Sequence, residues 1–183
     1  MKHHGTATLT SPRLILRRFY PSDAADCFSC FLADRRVFQF ISGQPRTQKD
    51  IEEWLSTADS AYDAPDTYYW AIQKKDDGRV IGEIFVDDYG ERNQWCELDW
   101  KIGPEFWNQG FMTEAAGIVA AYLLTRVGFH RVQAKCAVEN LGSERVMQKL
   151  GMRREGIFRE FFFGQDGRFH DVVMYSLLQK DLQ

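Results

Sequence analysis

After Ala61 the hydrophobic period of the chain changes from 3.6 to 2, and no other feature constrains the fold as strongly. Upstream, "TQKDIEEWLSTADSA" (Thr47 to Ala61) sets Ile51, Trp54, Leu55 and Ala58 on one helical face behind Thr47 as a cap. Downstream, "YYWAIQ", "RVIGEIFVDD" and "QWCELDWKI" are β-rich runs separated by Asp77-Gly78 and by Tyr89-Gly90-Glu91-Arg92-Asn93. That pattern predicts an antiparallel meander. "RLILRRF" (Arg13 to Phe19) reads as an earlier strand, and Pro21-Ser22-Asp23 starts a helix to about Asp34 with Ser22 as its N-cap. Met112 to about Val127 reads as a long apolar helix, Arg131 to Val138 as a strand and Gly142 to Leu150 as a short helix. "RREGIFREFFFG" and "RFHDVVMYSLL" close the chain as two strands around Gln165-Asp166-Gly167. The order β-α-α-β-β-β-α-β-α-β-β, with no linker or repeat, predicts a single α/β (α+β) domain over residues 1–183.

With 183 residues, 44% hydrophobic and 27% charged, the chain is long enough for one full core. Its longest apolar run, Ala115 to Leu124, is too short to span a bilayer, and no apolar secretory segment opens the sequence. A cytoplasmic protein with no membrane partner is therefore expected. The formal charge of −3, with Lys and Arg scattered, lacks the footprint of a nucleic-acid binder. Cys27 and Cys30 lie on an apolar helical pattern and Cys96 and Cys136 in strand-like runs, so no second paired-Cys motif completes a zinc site. Reduced, buried thiols and no metal are expected.

"FWNQGFMTEA" (Phe106 to Ala115) places one glycine where a strand gives way to the long helix. Such a turn exposes backbone NH groups without intrahelical partners, and the helix dipole adds partial positive charge there, which suits a phosphate. The Gly-Lys-Ser/Thr end of a P-loop and the further glycines of a dinucleotide fingerprint are both missing. On spacing alone, a loop glycine before a helix capped by Thr113 accounts for the pattern equally well.

Three segments in order, "PRLILR" (Pro12 to Arg17), "EFWNQGFMTEA" (Glu105 to Ala115) and "ENLGSERVMQKLGMRREG" (Glu139 to Gly156), resemble the GNAT N-acetyltransferases of the RimJ/RimL-like branch. The resemblance covers about Ser11 to Leu178. It implies a GNAT fold, with a mixed, mostly antiparallel sheet splayed at an acetyl-CoA site and flanked by helices. It also implies that Trp107, Asn108, Gln109, Gly110, Phe111, Met112 and Thr113 wrap the coenzyme pyrophosphate, chiefly through main-chain NH groups of Gln109, Gly110, Met112 and Thr113. Trp100, Lys101 and Ile102 would offer backbone to the pantetheine arm, with Asn140 and Ser143 beside it. Met112 stands where the family loop usually has Gly or Ala. A homodimer is expected by resemblance alone.

Amide formation from a thioester needs a neutral amine and a proton for the departing thiolate. At neutral pH a lysine costs about 4 kcal/mol to deprotonate, whereas an α-amino group costs roughly 1 kcal/mol or less. Between Glu83 and Asp99 stand six carboxylates opposed only by Arg92, an asymmetry that attracts a cationic amine. Strand alternation puts Glu97, Asp99 and Lys101 on one face and Cys96, Leu98, Trp100 and Ile102 on the other. A solvated face with a Lys101 ion pair and a catalytic face remain open on this pattern.

The resemblance makes Glu97 the first candidate base, because the branch often carries an acid there. Asp99 occupies a place where the branch more often has Gly, and could steer a basic acceptor. Many family members use a tyrosine as acid where this chain has Met147, which leaves Ser143 as the candidate acid. Arg145, Lys149 and Arg153 are candidate phosphate contacts, and His130 and His170 read as structural. "FREFFFG" could line an acceptor cleft or a dimer contact, with core packing the commoner role. The expected activity is acetyl transfer from acetyl-CoA to a primary amine, first a protein N-terminal α-amine. The rivals are a polyamine, amino sugar or amino acid acceptor, and a coenzyme A sensor without turnover.

Overall fold

The computed structural model of the chain describes residues 1–182. Its strands are β1 (Leu9–Thr10), β2 (Leu14–Arg17), β3 (Tyr69–Lys74), β4 (Val80–Gly90), β5 (Trp95–Ile102), β6 (Arg131–Ala137), β7 (Arg153–Phe163) and β8 (Phe169–Leu178). The helices are α1 (Ala24–Cys27), α2 (Gln48–Ala61), α3 (Phe111–Tyr122) and α4 (Leu141–Lys149). All the strands join one sheet in the order β1-β2-β3-β4-β5-β6-β8-β7. Neighbours are antiparallel except β5 and β6, which run parallel across the connection through α3. The mixed sheet expected of a GNAT fold is thus present, and β3 to β5 form the meander.

Alternation along β3 decides which helix lies on which face. Trp70 meets Tyr122 of α3, while Tyr69 meets Trp54 of α2, so these helices cover opposite faces. Thr47 caps α2 as its sequence suggests: the hydroxyl accepts from Asp50 N, and the Asp50 carboxylate accepts from Thr47 N. The core runs through both layers, with Trp70, Phe31, Leu14, Ile51, Ile84 and Phe129 fully buried.

The first helix departs from expectation. Its residues change pitch from a 3-10 turn (Pro21–Asp23) through α1 to a π-type turn (Phe28–Leu32), and a separate 3-10 turn follows at Arg35–Phe38. Ser22 does not cap it. The N-cap is Tyr20, two residues earlier, because Pro21 takes the first helical position; the Tyr20 amide donates to buried Asp23 at 2.8 Å, and Arg17 holds both Asp23 oxygens. The long helix likewise starts at Phe111, and its last turn, Leu123–Val127, is π-type before Gly128 at φ +89°. Short β1 carries no sequence signal of its own. All four cysteines are free thiols and buried, as expected. Among the described residues no helix is long and apolar enough to cross a membrane.

Candidate active site

Strands β5 and β6 pair only at Trp95↔Arg131, Cys96↔Val132 and Glu97↔Gln133. Beyond that point β5 stays with β4 and β6 with β8, so the sheet opens into a gap. A bulge marks the parting: Val86 pairs with Leu98 and Asp88 with Glu97, which leaves Asp87 as the extra residue of β4. Gly103 N donates to Ile81 O at 3.0 Å, and pairing in an antiparallel ladder alternates. The peptide groups of Asp99 and Lys101 therefore face β4, and those of Trp100 and Ile102 face the gap. Lys101 departs here from the expectation, since its main chain belongs to the β4 ladder. The Ile102 carbonyl already accepts the Trp107 indole NH at 2.9 Å.

The connection from β5 to α3 turns twice through left-handed backbone, at Asn108 (φ +59°) and Gly110 (φ +81°). Asparagine and glycine are the residues that occupy this region at least cost. Gly110 is the N-cap of α3, and neither Thr113 nor any other side chain caps that end. The leading NH groups at Phe111, Met112 and Thr113 thus point out of an uncapped helix, where partial positive charge favours an anion. Met112 keeps its bulk away from them, its side chain lying in the core at 5% exposure.

One part of this loop carried no signal of its own in the sequence. Arg13 donates from Nη1 to Gln109 O at 3.0 Å and from Nε to Glu114 Oε2 at 2.6 Å. Ser11 Oγ and Arg13 N both bond Glu114 Oε1. The "PRLILR" segment therefore fixes the loop from a strand about a hundred residues away, a pairing visible only once the fold brings β2 to α3.

On the far side of the gap, Asn140 caps α4 by accepting from Ser143 N at 3.2 Å, and both line the same cavity as Cys136. Burial pushes the Cys136 thiol up to about 12 despite a Ser143 hydrogen bond, so it stays protonated. Met147 is fully buried and takes no part. Arg145 and Lys149 border the cavity, while Arg153 lies near Asp181 at 3.8 Å instead.

The α2 face of the gap is different in character. Strand registers align Tyr69, Phe85 and Asp99 on it, then Ala71, Glu83 and Lys101, with Glu97 and Gln133 continuing the row. The acids here are not opposed by Arg92 alone. Glu83 takes Lys101 and the Tyr69 hydroxyl, and Glu97 takes Lys135 on Oε1 and Gln133 Nε2 at 3.0 Å on Oε2. The lysines come from positions that the run Glu83 to Asp99 does not contain. Asp99 keeps only its neighbour's amide, accepting from Trp100 N at 2.7 Å.

Phe40, Ile41, Phe85, Phe161 and Phe162 wall this side, and the whole cavity, open through the gap to both faces, measures about 850 Å³. The final aromatic run is not core, since Phe158, Phe161 and Phe163 are exposed. Gln165 on the β7–β8 turn donates to Phe38 O and Gly43 O, tying that turn to the loop that carries Phe40 and Ile41.

Comparison with known proteins agrees with this architecture. The family model described as "Acetyltransferase (GNAT) domain" matches residues 13–153. The chain is 27% identical over 171 residues to the uncharacterized N-acetyltransferase YoaA of Bacillus subtilis, covering 93% of this chain and 96% of that one. It is 25% identical over 182 residues to the ribosomal protein uS5-alanine N-acetyltransferase of Escherichia coli, covering 94% and 91%. A GNAT-family acetyltransferase structure from Bacillus anthracis superposes with a TM-score of 0.83 at 25% identity, over 95% of this chain and 99% of the other. RimL, a ribosomal α-N-protein acetyltransferase solved with coenzyme A, shares the fold with a TM-score of 0.81 at 17% identity, over 96% and 99%. The family match spans most of the chain and the relatives span nearly all of it: the protein belongs to the GNAT acetyltransferase family.

Proposed function

We propose that the protein transfers the acetyl group of acetyl-CoA to a protein N-terminal α-amine by direct attack in a ternary complex. The observation that carries this reading is a cavity with two unlike sides joined through the gap between β5 and β6. On the α3 side the residues fit a coenzyme: uncapped NH groups at Phe111 to Thr113 for the pyrophosphate, and the outward carbonyl of Trp100, whose NH Asp99 holds, for the pantetheine arm. Arg145 and Lys149 add cationic charge at the border. Bound there, acetyl-CoA supplies an activated carbonyl, and its thiol end would lie beside Asn140 and Ser143.

On the α2 side a carboxylate and phenylalanine rings face an open mouth, which suits an ammonium attached to a chain that extends into solvent. Ser143, in the first turn of α4, is the hydroxyl we assign to return a proton to the thiolate. An α-amine is favoured over a lysine because deprotonating it costs roughly 1 kcal/mol or less at neutral pH, against about 4 kcal/mol. The Escherichia coli relative, named for an alanine of ribosomal protein uS5, supports the same acceptor class.

The test is thiol release from acetyl-CoA across N-terminal peptides, polyamines, amino sugars and amino acids. Release confined to peptides with a free α-amine is the expected result. Release only with small amines would move the acceptor to that class, and no amine-dependent release at all would overturn the reading.

A further inference from the structure

Four carboxylates line the cavity: Asp87, Glu97, Asp99 and Glu139. Their partners separate them. Glu97 has both oxygens engaged, by Lys135 and by Gln133. Glu139 is exposed and bonds His170 Nδ1 at 3.2 Å. Asp87 is exposed on the β4 bulge at the rim. Asp99 alone is half-buried without a cationic partner in contact: Lys101, two residues on, turns its ammonium to Glu83, and Oδ2 of Asp99 accepts no hydrogen bond from a described residue.

Its position follows from the sheet. Asp99 lies just past the last β5–β6 pair, Glu97↔Gln133, so it is the first residue of its face beside the open gap. The amide that holds Oδ1 is that of Trp100, one of the groups turned toward the gap. Oδ1 is therefore fixed at the edge along which a coenzyme arm would run, and Oδ2 is left for something else. Phe85, its register partner on β4, supplies an apolar neighbour.

We propose that Asp99, through Oδ2, takes the proton of the acceptor ammonium, and that the Glu97–Lys135 pair is a structural element of the cavity wall. The inference rests on the acetyl-transfer reading above. The ammonium R–NH3⁺ gives one proton to the Asp99 carboxylate and becomes R–NH2. Its lone pair then forms the C–N bond, the C–S bond breaks, and the nitrogen's surplus proton passes to the departing sulfur by way of Ser143. Asp99 afterwards releases its proton to solvent, so that R–NH3⁺ and the thioester yield the amide, a thiol and one proton.

Burial raises the proton affinity of Asp99, Lys101 and the Trp100 amide oppose it, and Asp87 and Glu83 add to it, with a net upward direction. A base of that kind suits an amine of modest pKa better than an ordinary exposed aspartate.

The test measures kcat and kcat/KM against pH for the wild type, Asp99→Asn, Asp99→Glu and Glu97→Gln, with a peptide acceptor, and acetyl-CoA Kd by calorimetry. Asp99→Asn should lower kcat about 100-fold or more and remove the acidic limb of the pH profile, with acetyl-CoA Kd within about twofold of wild type. Its activity should recover as rising pH deprotonates the amine unaided, and Asp99→Glu should restore part of the neutral-pH rate. Glu97→Gln should lower the melting temperature and keep the acidic limb. The groups facing Asp99 that could shift that limb are Glu83, Asp87, Glu97, Lys101 and Lys135. An Asp99→Asn enzyme with wild-type kcat and an intact limb overturns the inference alone. A wild type with no amine-dependent thiol release overturns the acetyl-transfer reading as well.

Discussion

Arg13 and Glu114 meet at 2.6 Å across 101 residues of sequence, and Glu114 takes Ser11 and the Arg13 amide at the same time. This carboxylate, in the first turn of α3, ties the N-terminal strand to the helix whose open end the coenzyme would meet. Arg13→Ala should raise the Kd for acetyl-CoA about tenfold, because the Gln109 carbonyl loses its anchor. The stability cost should stay near 1 kcal/mol, since Arg13 is about half exposed and solvent screens the pair. Calorimetric titration and a thermal melt check the two numbers separately.

The same site sets an acid limit. Burial pushes Glu114 up, but the bonds from Ser11 and Arg13 outweigh it and hold the carboxyl below its ordinary value near 4.5. A depressed folded value means that the stabilisation is present above the unfolded pKa and is lost as pH falls through the folded one. Glu114→Gln should therefore melt below wild type at pH 6 and converge with it only as pH falls below the depressed folded pKa. Melting curves from pH 3 to 7 show whether the gap closes.

Gly110 tests the loop without touching a side-chain contact. A Cβ there would meet Arg13 Nη2 at 3.5 Å, an ordinary distance, so the penalty for alanine comes from φ +81° and not from a clash. Left-handed backbone costs an L residue roughly 1–2 kcal/mol. Gly110→Ala should lose about that much stability, or relax its φ and spread the NH groups, in which case acetyl-CoA affinity falls. Measuring Tm and Kd on the same sample assigns the loss.

Much of this site was legible before the fold was known. The glycine turn, the helix after it and the strands on either side follow from local pattern, because turn chemistry and periodicity act over a few residues. What the sequence hid was pairing across the sheet. The six carboxylates from Glu83 to Asp99 form an acidic cluster in one dimension, yet Lys135 on β6 and Lys101 neutralise two of them. Which acid stays free depends on where β5 and β6 part, and that register is a property of the assembled sheet. Tyr20 displaced Ser22 as the N-cap for a similar reason, since Arg17 on β2 fixes the Asp23 carboxylate that takes the Tyr20 amide.

The Glu97–Lys135 pair can be weighed by a double-mutant cycle. Glu97 is buried, so Lys135→Met leaves a carboxylate with Gln133 as its only partner, at a cost of about 1–3 kcal/mol. Glu97→Gln should cost less, because Lys135 is about a third exposed and can rehydrate. Combining the two should recover part of the loss, with a coupling energy of about 0.5–3 kcal/mol. Additive losses in chemical denaturation would mean that the two side chains stabilise the wall independently.

His170 gives the acceptor mouth a pH dependence of the opposite sign. Its Nε2 lies 3.0 Å from Asp166 Oδ1 and its Nδ1 3.2 Å from Glu139 Oε1, and these hydrogen bonds, Asp166 first, raise its pKa above the ordinary 6.5. A raised folded value contributes stability that is complete below the unfolded pKa and is lost as pH rises through the folded one. Asp166 sits on the turn beside Gln165, which holds the loop from Phe38 to Gly43 over the cavity. As the imidazolium loses its proton, the turn should loosen and KM for the acceptor should rise, while the Kd for acetyl-CoA, on the other side of the gap, stays flat. His170→Gln should remove the pH dependence of KM above 6.5 and leave KM at its high-pH value throughout. An acceptor KM that follows the same curve in both proteins would place the titration elsewhere.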